Sequence, residues 1–360
     1  MAEQSPVSRL QPISGPCAWR GAEIANSPRW LRDLTATHLD EIDAALTSVQ
    51  AQGLAWHQIT RKNFPLVELA AALGEMAREL EDGSGMVKLR GLPVDRYSGE
   101  ALKQVWFGLG CHLGRPVYQN RRGELMREIR DEGAGIGARY GEVKTEAGDA
   151  FLSSYARTLS NGALRYHTDR TDVVGLLCVG QAASGGLSKL CSSAAIHNEM
   201  LLRRPDLLAL LYQPIIRSRF GEEASSPEAT YPLPIFGLRE GKSTSHYSLT
   251  YIEAAQMVPG VAPLTPAQRE AIAMLMDLAE ELSFEMRLEP GDMQFLNNHV
   301  IYHGRTPFAD DPGKAMSRLL YRLWLSMPNS RPLPLDHAVL WGNVEAGAPR
   351  GGIGQTEGRV

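Results

Sequence analysis

The chain has 360 residues, of which 43% are hydrophobic and 22% charged, a balance typical of globular proteins and unlike that of disordered or collagen-like chains. Lys and Arg number 37 against 41 Asp and Glu, and the resulting formal net charge of −4 makes a nucleic-acid partner unexpected. No apolar run reaches the roughly 18 residues of a membrane span, and the first residues lack the pattern of a secretory signal. We therefore expect no membrane contact and a cytoplasmic location.

The first part of the chain is predicted to be mainly helical. Thr37 is the candidate N-cap of a helix over 38–52, and Pro65 opens a second amphipathic segment. A run over 86–90 alternates with period two, which predicts a strand. We expect residues 1–85 to form a helical extension that packs on the core of the protein.

The middle and second half of the chain change in character. A helix is predicted over 98–113, whereas residues 121–161 are rich in charge and glycine and are predicted to form a long loop. Two further helices are predicted over 193–203 and 265–282. The remaining apolar or β-prone runs are short and bounded by turns, and they predict strands over 173–179, 189–192, 213–219, 284–288, 293–296 and 319–325.

The order of these elements predicts the fold class. Short strands without regular strand–helix–strand alternation favour a sandwich or jelly roll over a doubly wound parallel sheet. We expect a mainly β protein with α additions, whose jelly-roll domain with helical insertions covers residues 86–331. Residues 332–360 are expected to form a C-terminal tail.

Two short motifs carry candidate metal ligands. His167 and Asp169 are two positions apart, so an extended backbone points both side chains to the same side. His303, which follows a turn and a predicted strand, is the third candidate. Two imidazoles and one carboxylate leave three positions open on a metal, which lets Fe(II) hold a co-substrate and dioxygen. Such a tripeptide also occurs by chance, so the motif alone does not define a site.

Two arginines follow in an otherwise apolar predicted strand. Arg318 and Arg322 are four positions apart, and the period of a strand places both on one face. A guanidinium inside a β core needs an anion, and a carboxylate bound by two hydrogen bonds is its best match. The alternative is a buried ion pair with a carboxylate of the protein itself.

These motifs together resemble one enzyme family. The His-Thr-Asp motif, the turn over 184–188, the segment over 290–306 and the strand over 317–325 occur in the order and with about the spacing of the taurine dioxygenase/TfdA family. The resemblance is clearest over 161–331 and implies a double-stranded β-helix (jelly-roll) core. It also implies an Fe(II)- and 2-oxoglutarate-dependent dioxygenase.

The resemblance implies a role for each matching residue. The iron ligands, which are also the catalytic residues, would be His167, Asp169 and His303. Arg318 would bind the distal carboxylate of 2-oxoglutarate, with Ser188 at a position where the family usually has threonine. Arg322 matches a position that contacts either 2-oxoglutarate or an anionic substrate.

Substrate contacts are predicted on less evidence. Gln119 and Asn120 are adjacent amides where relatives place substrate-binding residues, although an ordinary turn would have the same composition. Arg165 precedes the His-Thr-Asp motif and could bind substrate or remain a solvated charge. Together with Arg322, it favours a small anionic or zwitterionic organic substrate.

The predicted reaction is oxidation of an unactivated C–H bond, most simply hydroxylation, with release of succinate and CO2. Desaturation, epimerisation or cyclisation on the same iron site is an alternative that the sequence does not separate. A cupin-type metal protein that does not use 2-oxoglutarate is a second alternative, and Arg318 argues against it. A homo-oligomer is also compatible with the family resemblance.

Overall fold

The computed structural model describes residues 10–145, 147–222, 228–311 and 317–354. The α-helices are α1 Gly21–Ile24, α2 Ala36–Ala51, α3 Glu68–Asp82, α4 Gly99–Leu113, α5 Ile136–Tyr140, α6 Ser154–Thr158, α7 Ser193–Arg203, α8 Pro205–Leu211, α9 Leu249–Gln256, α10 Pro266–Leu282 and α11 Ala338–Trp341. The strands are β1 Leu31–Asp33, β2 Met86–Arg90, β3 Arg115–Pro116, β4 Met126–Ile129, β5 Glu142–Lys144, β6 Ala150–Leu152, β7 Leu164–His167, β8 Val173–Gly180, β9 Ser184–Gly185, β10 Ser188–Ser192, β11 Ile215–Ser218, β12 Thr230–Leu233, β13 Phe236–Arg239, β14 Lys242–Ser245, β15 Phe284–Met286, β16 Met293–Asn297, β17 Ile301–Arg305, β18 Phe308–Ala309 and β19 Leu319–Ser326.

Two sheets form the centre of the protein. The larger has the order β1-β2-β16-β8-β19-β3, with β4 also paired to β19, and the smaller has the order β15-β10-β17-β7. Val174 and Leu296 of the larger sheet share an apolar cluster with Leu190 and Ile301 of the smaller one, so the two inner faces pack together. The predicted mainly β, jelly-roll fold class is confirmed, although the sheets are mixed and do not close into a barrel.

Helices cover the outer faces of both sheets. Residues of α2, α3 and α4 pack on the larger sheet, and residues of α7, α8 and α10 pack on the smaller. Within β19, Leu323 and Leu325 join the helix-covered cluster, whereas Trp324 belongs to the cluster between the sheets. The strand period therefore points Arg322 into the space between the sheets.

Two helices begin at residues other than those predicted. In each, a side chain that was not considered accepts hydrogen bonds from the first backbone N–H groups of the helix. Thr35, not Thr37, caps α2, since its hydroxyl accepts from the His38 N–H while the His38 ring accepts from the Thr35 N–H. The second helix starts at Glu68 rather than at Pro65, because the Glu41 carboxylate accepts three backbone N–H groups at its start.

The prediction of a long loop over 121–161 is wrong. The segment contains α5, α6, β4, β5 and β6. Strand β4 pairs antiparallel with β19 of the larger sheet, and Arg127 binds both Glu124 and Glu132. These partners order a segment whose composition alone resembles a loop.

The two terminal regions both join the core. Strand β1 pairs in parallel with β2 and extends the larger sheet, and Ile353 is buried in the cluster between the sheets. The division at residues 85 and 331 stays a prediction. No helix in the described ranges is long and apolar enough to cross a membrane.

A buried charge network anchors the C-terminal segment. Asp172 accepts hydrogen bonds from His299 Nε2 at 2.8 Å and from Arg350 Nε at 2.7 Å, and its second oxygen accepts from the backbone N–H of Met327. The Thr244 hydroxyl lies 2.8 Å from the other His299 nitrogen. His299 is thus part of this network and not of the candidate metal site.

We predict that this network makes the stability of the protein pH dependent. Burial lowers the pKa of His299 from 6.5 to about 4, so the unfolded chain binds its proton first as the pH falls. The free energy of unfolding should therefore decrease between pH 6.5 and pH 4, with about 3 kcal/mol contributed by His299. Urea unfolding at pH 7, 6 and 5 measures this. In His299→Gln the decrease should be smaller, and an equal decrease in both proteins would contradict the assignment.

Candidate functional site

The candidate metal ligands come together at one end of the smaller sheet. Strands β7 and β17 pair antiparallel with His167 directly opposite His303, and the ring centroids are 4.3 Å apart. Asp169 lies two residues beyond the end of β7, with Oδ1 3.7 Å from His167 Nε2 and Oδ2 3.9 Å from His303 Nε2. All three residues are 8% exposed, and one ligand atom from each lies within 4.8 Å of the others.

Neighbouring groups hold these side chains in place. His167 Nδ1 lies 2.9 Å from the Arg165 carbonyl and donates to it, which leaves Nε2 free to bind a metal. The backbone N–H of Asp169 donates to Asn298 Oδ1, and the Asp169 carboxylate accepts at Oδ2 from Trp324 Nε1 at 2.9 Å. Asn298 and Trp324 are thus positioning residues for the carboxylate.

The electrostatics set the protonation state of the cluster. Burial lowers the pKa of His303 to about 3, with a further contribution from His167, and burial likewise lowers the pKa of His167. Burial alone would raise the pKa of Asp169, but the Arg322 guanidinium and the two imidazoles hold it below its ordinary value. At neutral pH the cluster therefore consists of two neutral imidazoles and one carboxylate.

This donor set fits Fe(II). A divalent ion needs deprotonated ligands, and two imidazoles with one carboxylate on one side of the ion match a non-haem Fe(II) centre. Within the described part of the chain, this is the only group of three or more His, Cys, Asp or Glu side chains that could hold an ion.

Arg318 is buried, and no carboxylate of the described residues forms an ion pair with its side chain. It is 5% exposed, and its Nη1 has no hydrogen-bond partner among the described residues. Its guanidinium stacks 5.0 Å from the centroid of the Phe308 ring, and burial lowers its pKa to about 10. Ser188 is also buried and donates a hydrogen bond to Gln294 Oε1 at 2.9 Å. The buried ion pair considered as an alternative for Arg318 is not found among the described residues.

Arg322 lies beside the metal cluster. Its Nη1 is 3.8 Å from Asp169 Oδ2, and its Nε donates to Gln119 Oε1 at 2.7 Å. The Gln119 amide donates in turn to the backbone carbonyls of Leu125 and Arg322. Gln119 therefore orients Arg322. The contact with substrate predicted for Gln119 stays a prediction.

The other two substrate candidates have protein partners. Asn120 donates to Glu124 Oε2 at 2.5 Å and to the Tyr155 hydroxyl at 2.9 Å. Arg165 forms a two-pronged ion pair with Glu253 at 3.0 and 2.7 Å. Substrate contacts at Asn120 and Arg165 stay predictions.

A cavity of about 440 Å³ opens beside Asn120. Asn120 lines it, and its other lining residues come largely from the segment that was predicted to be a loop, among them Arg122, Arg139, Tyr140 and Tyr155. The sequence did not predict that these residues share a cavity, because the pairing of β4 with β19 that helps to order their segment is not visible in local composition. The adjacent pair Arg121-Arg122, directly after the predicted amides, was the one available signal.

The chain is similar to known proteins over most of its length. The family profile described as "Taurine catabolism dioxygenase TauD, TfdA family" matches residues 47–324. The chain is 30% identical over 348 residues to FR-33289 synthase of Streptomyces rubellomurinus, an alignment that covers 94% of this chain and 98% of that protein. It is 30% identical over 310 residues to the taurine hydroxylase-like protein SAT17 of Stachybotrys chartarum, covering 85% and 77% of the two chains.

The fold also matches a solved structure. Asparagine oxygenase in complex with Fe(II), 2S,3S-3-hydroxyasparagine and succinate superimposes with a TM-score of 0.60 at 18% identity, covering 89% of this chain and all of that one. This match supports the fold. Because the family profile covers most of the chain, the protein belongs to the TauD/TfdA family of Fe(II)- and 2-oxoglutarate-dependent dioxygenases, and the predicted enzyme class and cofactors are confirmed.

Proposed function

We propose that the protein hydroxylates an unactivated C–H bond of a small anionic or zwitterionic organic molecule, with release of succinate and CO2. The observation that carries the proposal is the buried cluster of His167, Asp169 and His303 together with the buried Arg318, a guanidinium without an ion-paired carboxylate in the described chain. Among the relatives, asparagine oxygenase was solved with a hydroxylated amino acid and succinate, which supports hydroxylation. A cytoplasmic location and a homo-oligomeric state stay predictions.

Each residue of the candidate site has a role in this proposal. His167, Asp169 and His303 hold the iron. When bound, Fe(II) and 2-oxoglutarate supply the activation of dioxygen and the oxidation of C–H, coupled to decarboxylation of the keto acid. Arg318 would bind the distal carboxylate through Nη1, which has no partner among the described residues, and the Ser188 hydroxyl would assist by turning its proton from Gln294 to the carboxylate. Burial of all these groups excludes bulk water and so strengthens their electrostatic interactions.

Arg322 would bind either the co-substrate or the substrate. Gln119 fixes its Nε, and its Nη1 faces Asp169 at 3.8 Å. The remaining donors of this guanidinium are placed to bind an anionic group of 2-oxoglutarate or of the substrate close to the reacting centre.

The cavity favours a substrate with an acidic group. Arg122 and Arg139 each lie 5.5 Å from the centroid of the Tyr140 ring. Arg139 also pairs with Glu132 at 3.6 Å, whereas Arg122 has no carboxylate partner in the described chain. Glu142 and Glu222 also line the cavity, so a zwitterion could place an amine there. Arg165 contributes less positive charge, because Glu253 neutralises it.

Cofactor binding provides the first test of the proposed function. Anaerobic titration of the Fe(II)-loaded protein with 2-oxoglutarate should give a saturable visible charge-transfer band. Arg318→Ala should weaken 2-oxoglutarate binding about 100-fold, since it removes charge-assisted hydrogen bonds, and should leave iron affinity unchanged. His167→Ala should abolish iron binding. Bound iron without any band would favour the cupin-type alternative.

The second prediction concerns the substrate. In a succinate-release screen of amino acids and small organic acids, active compounds should carry an acidic group. For the best of these, Arg122→Ala should raise KM about tenfold and change kcat less than twofold, because the guanidinium binds ground state and transition state equally. Arg130→Ala is the matched control, since Arg130 is an exposed arginine paired with Glu128 outside this cavity. Equal KM values for the two variants would refute an anion site at Arg122.

A further inference from the structure

Arg305 is a buried arginine on β17, the strand that also carries the proposed iron ligand His303. It lies two residues after His303 on β17 and directly opposite Ser188 on β10. Since alternate residues of a strand share a face, and residues opposite one another on antiparallel strands point to the same side, all three side chains start from the inner face of the smaller sheet. Arg305 is only 5% exposed.

Arg305 forms hydrogen bonds with the backbone of residues 158–162, the segment that precedes β7 and the candidate metal site. Its Nη2 donates to the carbonyls of Ser160 and Gly162 at 2.5 and 2.6 Å, and Nη1 lies 3.5 Å from the Thr158 carbonyl. This segment leads from α6 into β7, which ends at His167. The Nε atom has no hydrogen-bond partner among the described residues.

Arg305 and Arg318 are joined through one aromatic ring. The Phe308 ring centroid lies 4.8 Å from the Arg305 guanidinium carbon and 5.0 Å from that of Arg318. Phe308 is held by its backbone N–H, which donates to the Asn161 carbonyl, and by pairing of β18 with β9. Next to β9, a Cβ on Gly186 would lie 3.0 Å from Arg318 Nε, and its φ of +69° also favours glycine. The position of Arg318 is therefore set by Phe308 and this turn.

No ion-paired carboxylate of the described residues balances the positive charges of Arg305 and Arg318. Neither Arg305 nor Arg318 forms an ion pair with a carboxylate in the described ranges, and the Asp310 carboxylate accepts from the Arg318 backbone N–H. Two buried guanidiniums on one ring repel each other and are stabilised by an anion placed near both. The distal carboxylate of a dicarboxylic keto acid supplies such a charge.

We propose that Arg305 is a positioning residue for 2-oxoglutarate. Arg305 holds Phe308 and thereby Arg318, and it adds a second positive charge where the distal carboxylate of 2-oxoglutarate binds. This inference rests on the proposed function. It gives the enzyme a means of selecting a dicarboxylic over a monocarboxylic keto acid, beyond the contact of Arg318 alone.

The test compares two keto acids that differ only at the distal end. Affinities of the anaerobic Fe(II) protein for 2-oxoglutarate and for 2-oxopentanoate, in which a methyl group replaces the distal carboxylate, are measured by calorimetry. Arg305→Gln should weaken 2-oxoglutarate about tenfold, change 2-oxopentanoate less than twofold and leave iron affinity unchanged. Arg305→Lys, which keeps the charge, should retain most of the selectivity. In Arg318→Ala the effect of Arg305→Gln should shrink, since the two act on one carboxylate.

Other outcomes have distinct meanings. If Arg305 only holds the backbone of residues 158–162, Arg305→Gln should weaken both keto acids equally, and that result would overturn the proposal. Unchanged selectivity in Arg305→Gln would overturn it as well. If Arg305→Gln does not fold, Arg305→Lys must still keep its selectivity for the proposal to stand. Arg217→Gln is the matched control, because Arg217 is fully buried and donates to the carbonyls of Pro234 and His246. Absence of 2-oxoglutarate binding in the wild type would refute the proposed function itself, and this inference with it.

Discussion

The antiparallel pairing of β7 with β17 fixes the distance between the two imidazoles, and the rest of the candidate site is arranged around that pair. A slip of β7 by one residue against β17 would leave His167 and His303 on opposite faces of the sheet. The register is stabilised from the other side, where Tyr166 and Tyr302 are buried in the cluster formed with the outer helices. Apolar packing outside the sheet thus determines the geometry of a polar site inside it.

The second constraint is electrostatic. Protein interiors disfavour unpaired charge, yet Arg305 and Arg318 are buried with no carboxylate in ion-pair contact within the described chain. Arg322 differs, because Asp169 lies 3.8 Å away and offsets part of its charge. A site with this surplus of positive charge is less stable empty than when it holds an anion. Binding of a dianionic co-substrate should therefore stabilise the folded protein as well as complete the site.

The sequence was informative where function depends on local spacing. The His-x-Asp motif and the period of β19 were enough to predict which side chains share a face, and the structure brings His167, Asp169 and His303 together. The predictions failed where distant partners decide. Strand β4, in the segment that was predicted to be a loop, is held by pairing with β19, and the charge of Arg165 is neutralised by a glutamate 88 positions away. Neither partner is visible in local composition, so the lining of the cavity could not be predicted.

The C-terminal segment shows how such distant partners complete the site. The Gly352 N–H donates to the Arg170 carbonyl, next to Asp169, and the Ile353 N–H donates to the Tyr118 carbonyl, next to Gln119. One short segment thus bridges the backbone that carries a proposed iron ligand and the backbone that orients Arg322. The cofactor end around Arg318 makes no such contact with this segment among the described hydrogen bonds. Changes in this segment should therefore affect Asp169 and Arg322 more directly than Arg318.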